Sequence, residues 1–362
     1  MARSVVARVM INYRETPVEA TCPVCGRTEC RLLYAVDAQG AARHVTNDRV
    51  EPEHLSKLTQ HIENLWHGPG CQFVRCQHCG FCFAWPYVPG DAVFYSMVYD
   101  AAYADGDYLP WNWYYQRTFE HLREIAGAGG GRSTKLLEIG AGNGAFVKRI
   151  APALLPKENV FCIEYSDNGA DEIRRYGIAC STRDIRQAEL PPSVNRFDAI
   201  CMFHVLEHMD DLDRLFQCLS RLANKGTNLF IATPNCVQRE LYDRFGASMD
   251  VPPAHIGRWN KQCFEIMAER HGWILVSHEN EPEEYLSKIR RYLYVRVNRM
   301  RFTAPLRRIR SRIARRLALS LSVPICALLS LAGIYALRRE NTGVSQYAYL
   351  RKESNAGGET VA

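Results

Sequence analysis

The stretch Leu136–Phe146, LLEIGAGNGAF, sets the tightest limit on what this chain can fold into. An apolar run ends in glycines at alternate positions, Gly140, Gly142 and Gly144, and a helical pattern follows. Glycine has no Cβ, so such a turn lets a ligand approach the backbone. The helix behind it offers unpaired N–H groups. From Lys135 onward, short apolar runs alternate with helical patterns. Strands are expected over 135–140, 159–166, 177–185, 197–205, 228–235, 273–281 and 345–352, with helices over 144–151, 168–176, 210–223 and 260–271. This alternation predicts an α/β fold, a doubly wound parallel sheet covered on both faces. Its ligand belongs at the carboxyl ends of the strands, at the switch point.

Two adenosine ligands suit the turn. The glycines read as a dinucleotide fingerprint, or as Glu-x-Gly-x-Gly-x-Gly for S-adenosylmethionine (SAM). Glu164, at the end of the second strand, can take two ribose hydroxyls of either. Glu138 separates them, because a carboxylate inside the first strand would repel a pyrophosphate. Asp184 after the third strand can accept an adenine amino group, with Ile185 against the ring. The fourth and fifth strands end in FHVLEHMDD and ATPN.

Together LLEIGAGNGAF, FCIEYSD, Asp184-Ile185, FDAICMFHVLEHMDDL and LFIATPN resemble the class I SAM-dependent methyltransferases over roughly residues 105–352. The resemblance implies a seven-stranded Rossmann-like sheet whose last strand, SQYAYLRK, is antiparallel. It implies a cofactor site of Glu138, Gly140, Gly142, Gly144, Glu164, Tyr165, Asp184, Ile185 and His204. Gly140 and Gly142 would underlie the methionine part. PPAHIGRWNKQCFEIMAERHGW at 252–273 is similar to a branch whose members carry an N-terminal zinc-binding domain and modify sugars or other small metabolites.

Seven of the 14 cysteines fall between Cys22 and Cys82, a clustering that suggests metal more than disulfides. CPVCG and CQHCG give two Cys-x-x-Cys-Gly knuckles, Cys22/Cys25 and Cys76/Cys79. Two such turns suit a tetrahedral zinc, closed by four thiolates and therefore structural. The gap between the pairs is longer than the usual spacer, which weakens the spacing and leans on the resemblance. Cys30, His67, Cys71, His78 and Cys82 are competitors that complete no second Cys-x-x-Cys.

Methyl transfer to a hydroxyl or carbon acid needs a base. His204 and His208 in HVLEH are candidates, as is His255 on the loop after the fifth strand. His204, Glu207 and His208 share one face of a turn and are also a possible metal set. The same residues can instead wall the cofactor pocket. The aromatic segment YLPWNWYYQ at 108–116 can lid the site through Tyr108, Tyr114 and Tyr115, or pack as core.

The net charge of +6 is local in origin: residues 287–316 hold 12 Lys/Arg and no Asp/Glu, leaving 33 basic against 39 acidic residues elsewhere. Leu306, Ile309, Ile313, Leu317 and Leu321 form an apolar stripe among arginines. Residues 317–337 are uncharged and long enough to span a bilayer. A span would put the final strand on the wrong side, so a surface-lying insertion that touches a membrane or covers the substrate is expected, the alternative being a helical cap whose apolar face packs on the domain. Its arginines suit anionic lipid heads or RNA phosphates.

The expected organisation is a zinc-binding module at 1–100, an aromatic lid and linker at 101–132, a SAM-binding core at 133–286, a basic and apolar helical insertion at 287–340, and the final strand and tail at 341–362. The start shows no secretory signal, so a cytoplasmic enzyme is expected, peripheral at the inner face of the membrane if the insertion meets lipid. The expected acceptor is a small molecule or a sugar or glycan, in one version lipid-linked. RNA methylation ranks below it because HVLEH stands where an Asn/Asp-Pro-Pro-aromatic motif would be. A non-catalytic SAM-binding regulator is the third reading.

Overall fold

The structure is a computed structural model and describes residues 16–46, 50–99, 111–128, 134–187, 196–244, 250–299, 303–307, 309, 311–339 and 341–353. Tyr108, the glycine linker at 129–131 and several insertion arginines lie outside the described residues.

The N-terminal part holds β1 (Pro17–Glu19), β2 (Glu29–Asp37), α1 (Ala38–Val45), α2 (Pro52–Trp66), β3 (Gly70–Cys76), β4 (Cys82–Trp85) and α3 (Ala92–Tyr99). After α4 (Trp113–Ala128) come β5 (Leu136–Ile139), α5 (Val147–Ile150), β6 (Val160–Ile163), α6 (Asp167–Arg175), β7 (Ala179–Ser181), β8 (Phe197–Phe203), α7 (Leu212–Arg221) and β9 (Ala223–Pro234). Then follow α8 (Cys236–Arg244), β10 (Gly257–Arg258), α9 (Lys261–Arg270) and β11 (Trp273–Asn280). The insertion forms α10 (Tyr285–Arg299), α11 (Ala304–Arg307), α12 (Arg312–Leu321), α13 (Val323–Leu328) and α14 (Leu331–Ala336), and β12 (Ser345–Lys352) closes the core.

The main sheet runs β11-β12-β9-β8-β5-β6-β7. β5 pairs parallel with both β6 and β8, so the switch point lies at β5/β8. β12 is antiparallel to both β9 and β11 and wedges between them, as expected for the last strand. Both faces of the sheet are covered. Leu137 and Ile139 of β5 join a core with Phe81, Phe216, Trp259 and Phe264. Leu136 joins the opposite core with Tyr115, Phe146, Ile173 and Phe203. Burial on both faces is why these strands read as continuous apolar runs rather than as alternation.

The second sheet runs β1-β2-β3-β4-β10. Its last strand comes from the loop after β9, with Gly257 opposite Phe83 and Arg258 opposite Cys82. The cysteine-rich part and the methyltransferase-like part therefore share a strand and a core. A two-residue strand has no periodicity to read, and the sequence did not disclose it.

Two local expectations need correction. Regular helix after the glycine turn covers only Val147–Ile150, while residues 142–146 are turn. Gly140, Gly142 and Gly144 have φ of 72°, 57° and 78°, which keeps the chain out of right-handed helix until the turn is passed. The amphipathic stripe is divided between α11 and α12, because Ser311 starts a new helix by accepting from the Ala314 N–H at 3.4 Å. The uncharged run at 317–337 breaks again before Pro324, which sits in the first turn of α13. No helix among the described residues is long and apolar enough to cross a membrane.

Candidate functional site

The glycine turn leaves β5 and is pinned to β6: the Gly140 and Ala141 N–H groups donate to the Ile163 carbonyl at 2.8 and 3.2 Å. Each glycine serves differently. A Cβ on Gly140 would lie 2.2 Å from Val205 Cγ2, whereas one on Gly142 would meet nothing within 4 Å. Gly142 thus borders open space at the strand ends. Glu164 closes the turn from the β6 side, accepting from the Gly142 N–H at 2.7 Å and the Ser166 N–H at 2.8 Å. Burial raises its pKa, and those two N–H groups oppose the rise. One lone pair on each oxygen remains for a diol.

Beneath the turn, Glu138 is buried, and its Oε2 has no hydrogen-bond partner among the described residues. Burial, reinforced by the nearby Glu164 charge, raises its pKa well above the carboxylate range. The Asn143 Oδ1 is a second buried oxygen without a partner among the described residues. Two buried side-chain oxygens left without partners at one turn can take up the hydrogen bonds of a ligand's ammonium group. On this observation the residues present fit SAM.

Asp184 is more heavily engaged than its sequence suggested. Its Oδ1 accepts from the Arg186 N–H and Nε at 2.7 and 2.9 Å, and its Oδ2 from the Tyr165 hydroxyl at 2.6 Å and Arg186 Nη2 at 2.5 Å. Those four bonds fill its lone pairs. An adenine amino group could reach it only by displacing one of these partners. Arg186 also holds Asp210 at 2.8 Å, and no spacing in the sequence pointed to it. Ile185 is buried in the core, while Tyr165 is exposed beside Glu164.

HVLEH leaves β8 through His204, whose φ of 56° is left-handed. Both ring nitrogens have partners: Nδ1 lies 3.2 Å from Glu207 Oε1 and Nε2 lies 3.1 Å from Ser345 Oγ. Glu207 is buried. Against the cost of burial, the His204 hydrogen bond and its electrostatic attraction, with smaller contributions from the His208 and His255 rings, hold its pKa below the ordinary value. His208 Nδ1 faces the Ala254 carbonyl and lies 3.0 Å from the Tyr95 hydroxyl. Burial and then the neighbouring His255 push its pKa down to about 4. His255 stands edge-on to it, ring centroids 4.7 Å apart, and its Nδ1 lies 2.9 Å from Asp250 Oδ1. Arg239 and Arg258 secure Asp250, each at 3.1 Å. The structure thus gathers Glu207, His208 and His255, all within 4.8 Å, in place of the His204–Glu207–His208 set. Tyr95, Asp250, Arg239 and Arg258 were missed in the sequence, where nothing links them to HVLEH.

The start of α4 roofs the switch point. The Tyr114 ring lies 5.4 Å from Phe203 and 5.2 Å from His204, and Tyr115 packs at 5.1 Å on both Phe146 and Phe203.

The cysteine cluster packs against the start of α9, where Cys263 Sγ donates to the Cys79 carbonyl at 3.6 Å. Cys22, Cys25, Cys76 and Cys79 place their sulfurs within 4.8 Å of one another. The closest pairs are Cys22–Cys79 at 3.6 Å and Cys25–Cys76 at 3.5 Å. A zinc tetrahedron with bonds of about 2.3 Å has edges of about 3.8 Å, so the four sulfurs fit one ion. Both knuckles are built alike: the Gly26 N–H donates to the Cys22 carbonyl at 2.8 Å, the Gly80 N–H to the Cys76 carbonyl at 3.0 Å, and both glycines have positive φ. Burial pushes the Cys25 thiol up to about 11, a cost that a bound cation removes. Cys30, which donates to the Ala20 carbonyl, lies outside the set, as do His67, Cys71, His78 and Cys82. All 14 cysteines are free thiols.

Residues 111–278 match the family model described as a methyltransferase domain. No curated protein matches the chain. Among solved structures it is similar to a SAM-dependent methyltransferase from Archaeoglobus fulgidus, at 18% identity and TM-score 0.42 over 66% of this chain and 94% of that one. It is also similar to magnesium protoporphyrin IX methyltransferase from Synechocystis with bound SAH, at 11% identity and TM-score 0.40 over 69% and 90%. A third is the N-methyltransferase NodS from Bradyrhizobium japonicum in complex with SAH, at 14% identity and TM-score 0.39 over 70% and 96%. These likenesses bear on no residue role described above.

Proposed function

We propose, from the premise that this chain is a SAM-dependent methyltransferase, that it methylates an oxygen or carbon of a small-molecule or sugar acceptor, glycans on a lipid carrier included. Bound SAM supplies an electrophilic methyl on its sulfonium. Glu164 holds the ribose hydroxyls, and Gly140, Gly142 and Gly144 let the methionine part lie on the backbone. Glu138 and Asn143 take its ammonium group. Tyr165 and Ile185 flank the adenine, with Asp184 orienting Tyr165. His204 walls the pocket.

One observation carries the acceptor class: histidines and a buried carboxylate meet beyond the end of β8. An amine acceptor that arrives unprotonated needs no such apparatus, whereas a hydroxyl or carbon acid needs a group to take its proton. Glu207, His208 and His255 together make up that apparatus. The direct experiment supplies methyl-labelled SAM with a panel of sugar nucleotides, glycans, phenols and amines. Label in an O–CH₃ or C–CH₃ product supports the reading, and label only in amines overturns it.

The cysteine cluster is read as a structural zinc site. Asn260 Nδ2 donates to the Cys79 carbonyl at 3.0 Å, and Arg270 donates to the Val24 carbonyl at 2.6 Å, so the knuckles brace both ends of α9. The insertion is read as a peripheral contact with the inner face of an anionic membrane. Ile313, Leu317 and Leu321 of α12 are 74%, 62% and 78% exposed, and Arg316 is exposed beside them. An apolar stripe among cations is the pattern of an interfacial helix.

A further inference from the structure

Two imidazoles and a buried carboxylate meet beyond β8. A carbonyl can only accept, so the His208 Nδ1 that faces the Ala254 oxygen carries the proton. The His255 Nδ1 likewise donates to the Asp250 carboxylate. With Nδ1 so engaged, Nε2 is the nitrogen each ring has left to offer as a ligand. His208 Nε2 lies 4.0 Å from Glu207 Oε1, and the ligand atoms of Glu207, His208 and His255 all fall within 4.8 Å of one another. Glu207 is 1% exposed, and its Oε2 has no hydrogen-bond partner among the described residues. His204 Nδ1 lies 3.2 Å from Glu207 Oε1, so it is Oε2 that is left for a cation shared with the two imidazoles.

We infer that Glu207, His208 and His255 bind a divalent transition-metal ion whose open positions take an oxygen of the acceptor. The inference rests on the methyltransferase reading for the acceptor, and on geometry alone for the metal. Two imidazoles and a carboxylate leave coordination positions unfilled, unlike the four cysteines. Metal–ligand bonds of about 2.1 Å set ligand separations of roughly 3–3.5 Å, so the 4.0 Å pair closes by less than about 1 Å.

The surroundings are those of a ligand set. A histidine that ligates through one nitrogen generally donates its other N–H to a carboxylate or carbonyl, which fixes the ring. His255 has Asp250, itself held by Arg239 and Arg258. His208 has Ala254 and Tyr95. The Ile256 N–H donates to the Glu207 backbone carbonyl at 2.9 Å, which keeps the 254–256 loop against HVLEH. A metal here would hold an acceptor hydroxyl or enol oxygen and ease its loss of a proton. It narrows the acceptor class to molecules with such an oxygen at or next to the methylated atom.

Cobalt(II) tests this, because its thiolate complexes absorb strongly and its imidazole–carboxylate complexes weakly and at different wavelengths. The full chain, its cysteine cluster filled with zinc, is titrated with cobalt(II) alongside Glu207→Gln and His255→Asn variants. Circular dichroism and SAM affinity are measured on the same samples. One further equivalent with the weak spectrum is expected, its affinity reduced at least tenfold in each variant. Absence of a second equivalent from the folded wild type, thiolate absorption only, or uptake that ignores both substitutions overturns the inference. SAM binding without cobalt uptake removes the metal and leaves the methyltransferase reading intact.

Discussion

Gly140 and Gly142 are two residues apart, both left-handed, and should fail in opposite ways when changed to alanine. The left-handed conformation costs an L-residue about 1–2 kcal/mol. At Gly142 that is the whole cost to the fold, since a Cβ there meets nothing within 4 Å. With roughly 2–4 °C lost per kcal/mol for a chain of this size, the melting point should fall by only a few degrees. At Gly140 the same backbone cost is joined by a contact of 2.2 Å with Val205 Cγ2. Overpacking of that kind adds about 1–3 kcal/mol, for a total of roughly 2–5 kcal/mol. SAM affinity should order the other way. The methyl on Gly142 projects into the space the cofactor is proposed to fill, and affinity should drop at least about tenfold, or 1.4 kcal/mol. Thermal melts and calorimetric SAM titrations read both quantities. In Gly140→Ala, a second change of Val205→Ala removes the clashing methyl and should recover the overpacking share of the loss. A Gly142→Ala protein that binds SAM as tightly as the wild type would refute the assignment of the open side of the turn to the cofactor.

Further expectations concern the rest of the chain. Glu138 has a raised folded pKa, so its neutral form is the stable one in the fold. Stability should fall as pH rises from the unfolded value of 4.5 towards the folded one, by up to about 1.4 kcal/mol per pH unit. Glu138→Gln should remove that slope in denaturant melts from pH 5 to 8. Cys79→Ser should lose zinc by elemental analysis and weaken the packing of β4 and β10, so the variant should melt below the wild type; equal zinc content would remove Cys79 from the ligand set. Leu317→Asp with Leu321→Asp should abolish flotation with vesicles of phosphatidylglycerol while leaving the unfolding free energy within about 0.5 kcal/mol of the wild type, as expected for exposed sites. Flotation unchanged by both substitutions would leave the exposed stripe of α12 without a lipid role.

Much of the core was legible because its strands are buried on both faces. VFCI is unbroken, and LLEI and FDAICMF carry one acid each, Glu138 and Asp198, in otherwise apolar runs; that near-continuity is the parallel-sheet signal. SQYAYLRK was found at its observed bounds, Ser345–Lys352, because the turn signal Asn341-Thr342-Gly343 precedes it. The Cys-x-x-Cys knuckles announced themselves for a similar reason: local spacing dictates local geometry. What escaped was set by contacts distant in sequence. Gly257 and Arg258 are a strand only because Phe83 and Cys82 lie beside them. Arg186 matters only because Asp184 and Asp210 converge on it. His255 joins Glu207 through a loop 48 residues further along the chain, and no periodicity spans such a distance.

The most direct measurement is calorimetric binding of SAM and S-adenosylhomocysteine to the folded protein, with Glu164→Ala and Glu164→Gln beside it. Glu164 is proposed to accept two ribose hydroxyls, each charge-assisted bond contributing about 1.5–3 kcal/mol. One equivalent should bind the wild type, the alanine variant should lose at least about a hundredfold in affinity, and the glutamine variant should fall between. Absence of binding to the folded wild type, or an affinity indifferent to Glu164, would contradict the cofactor assignment on which the account rests.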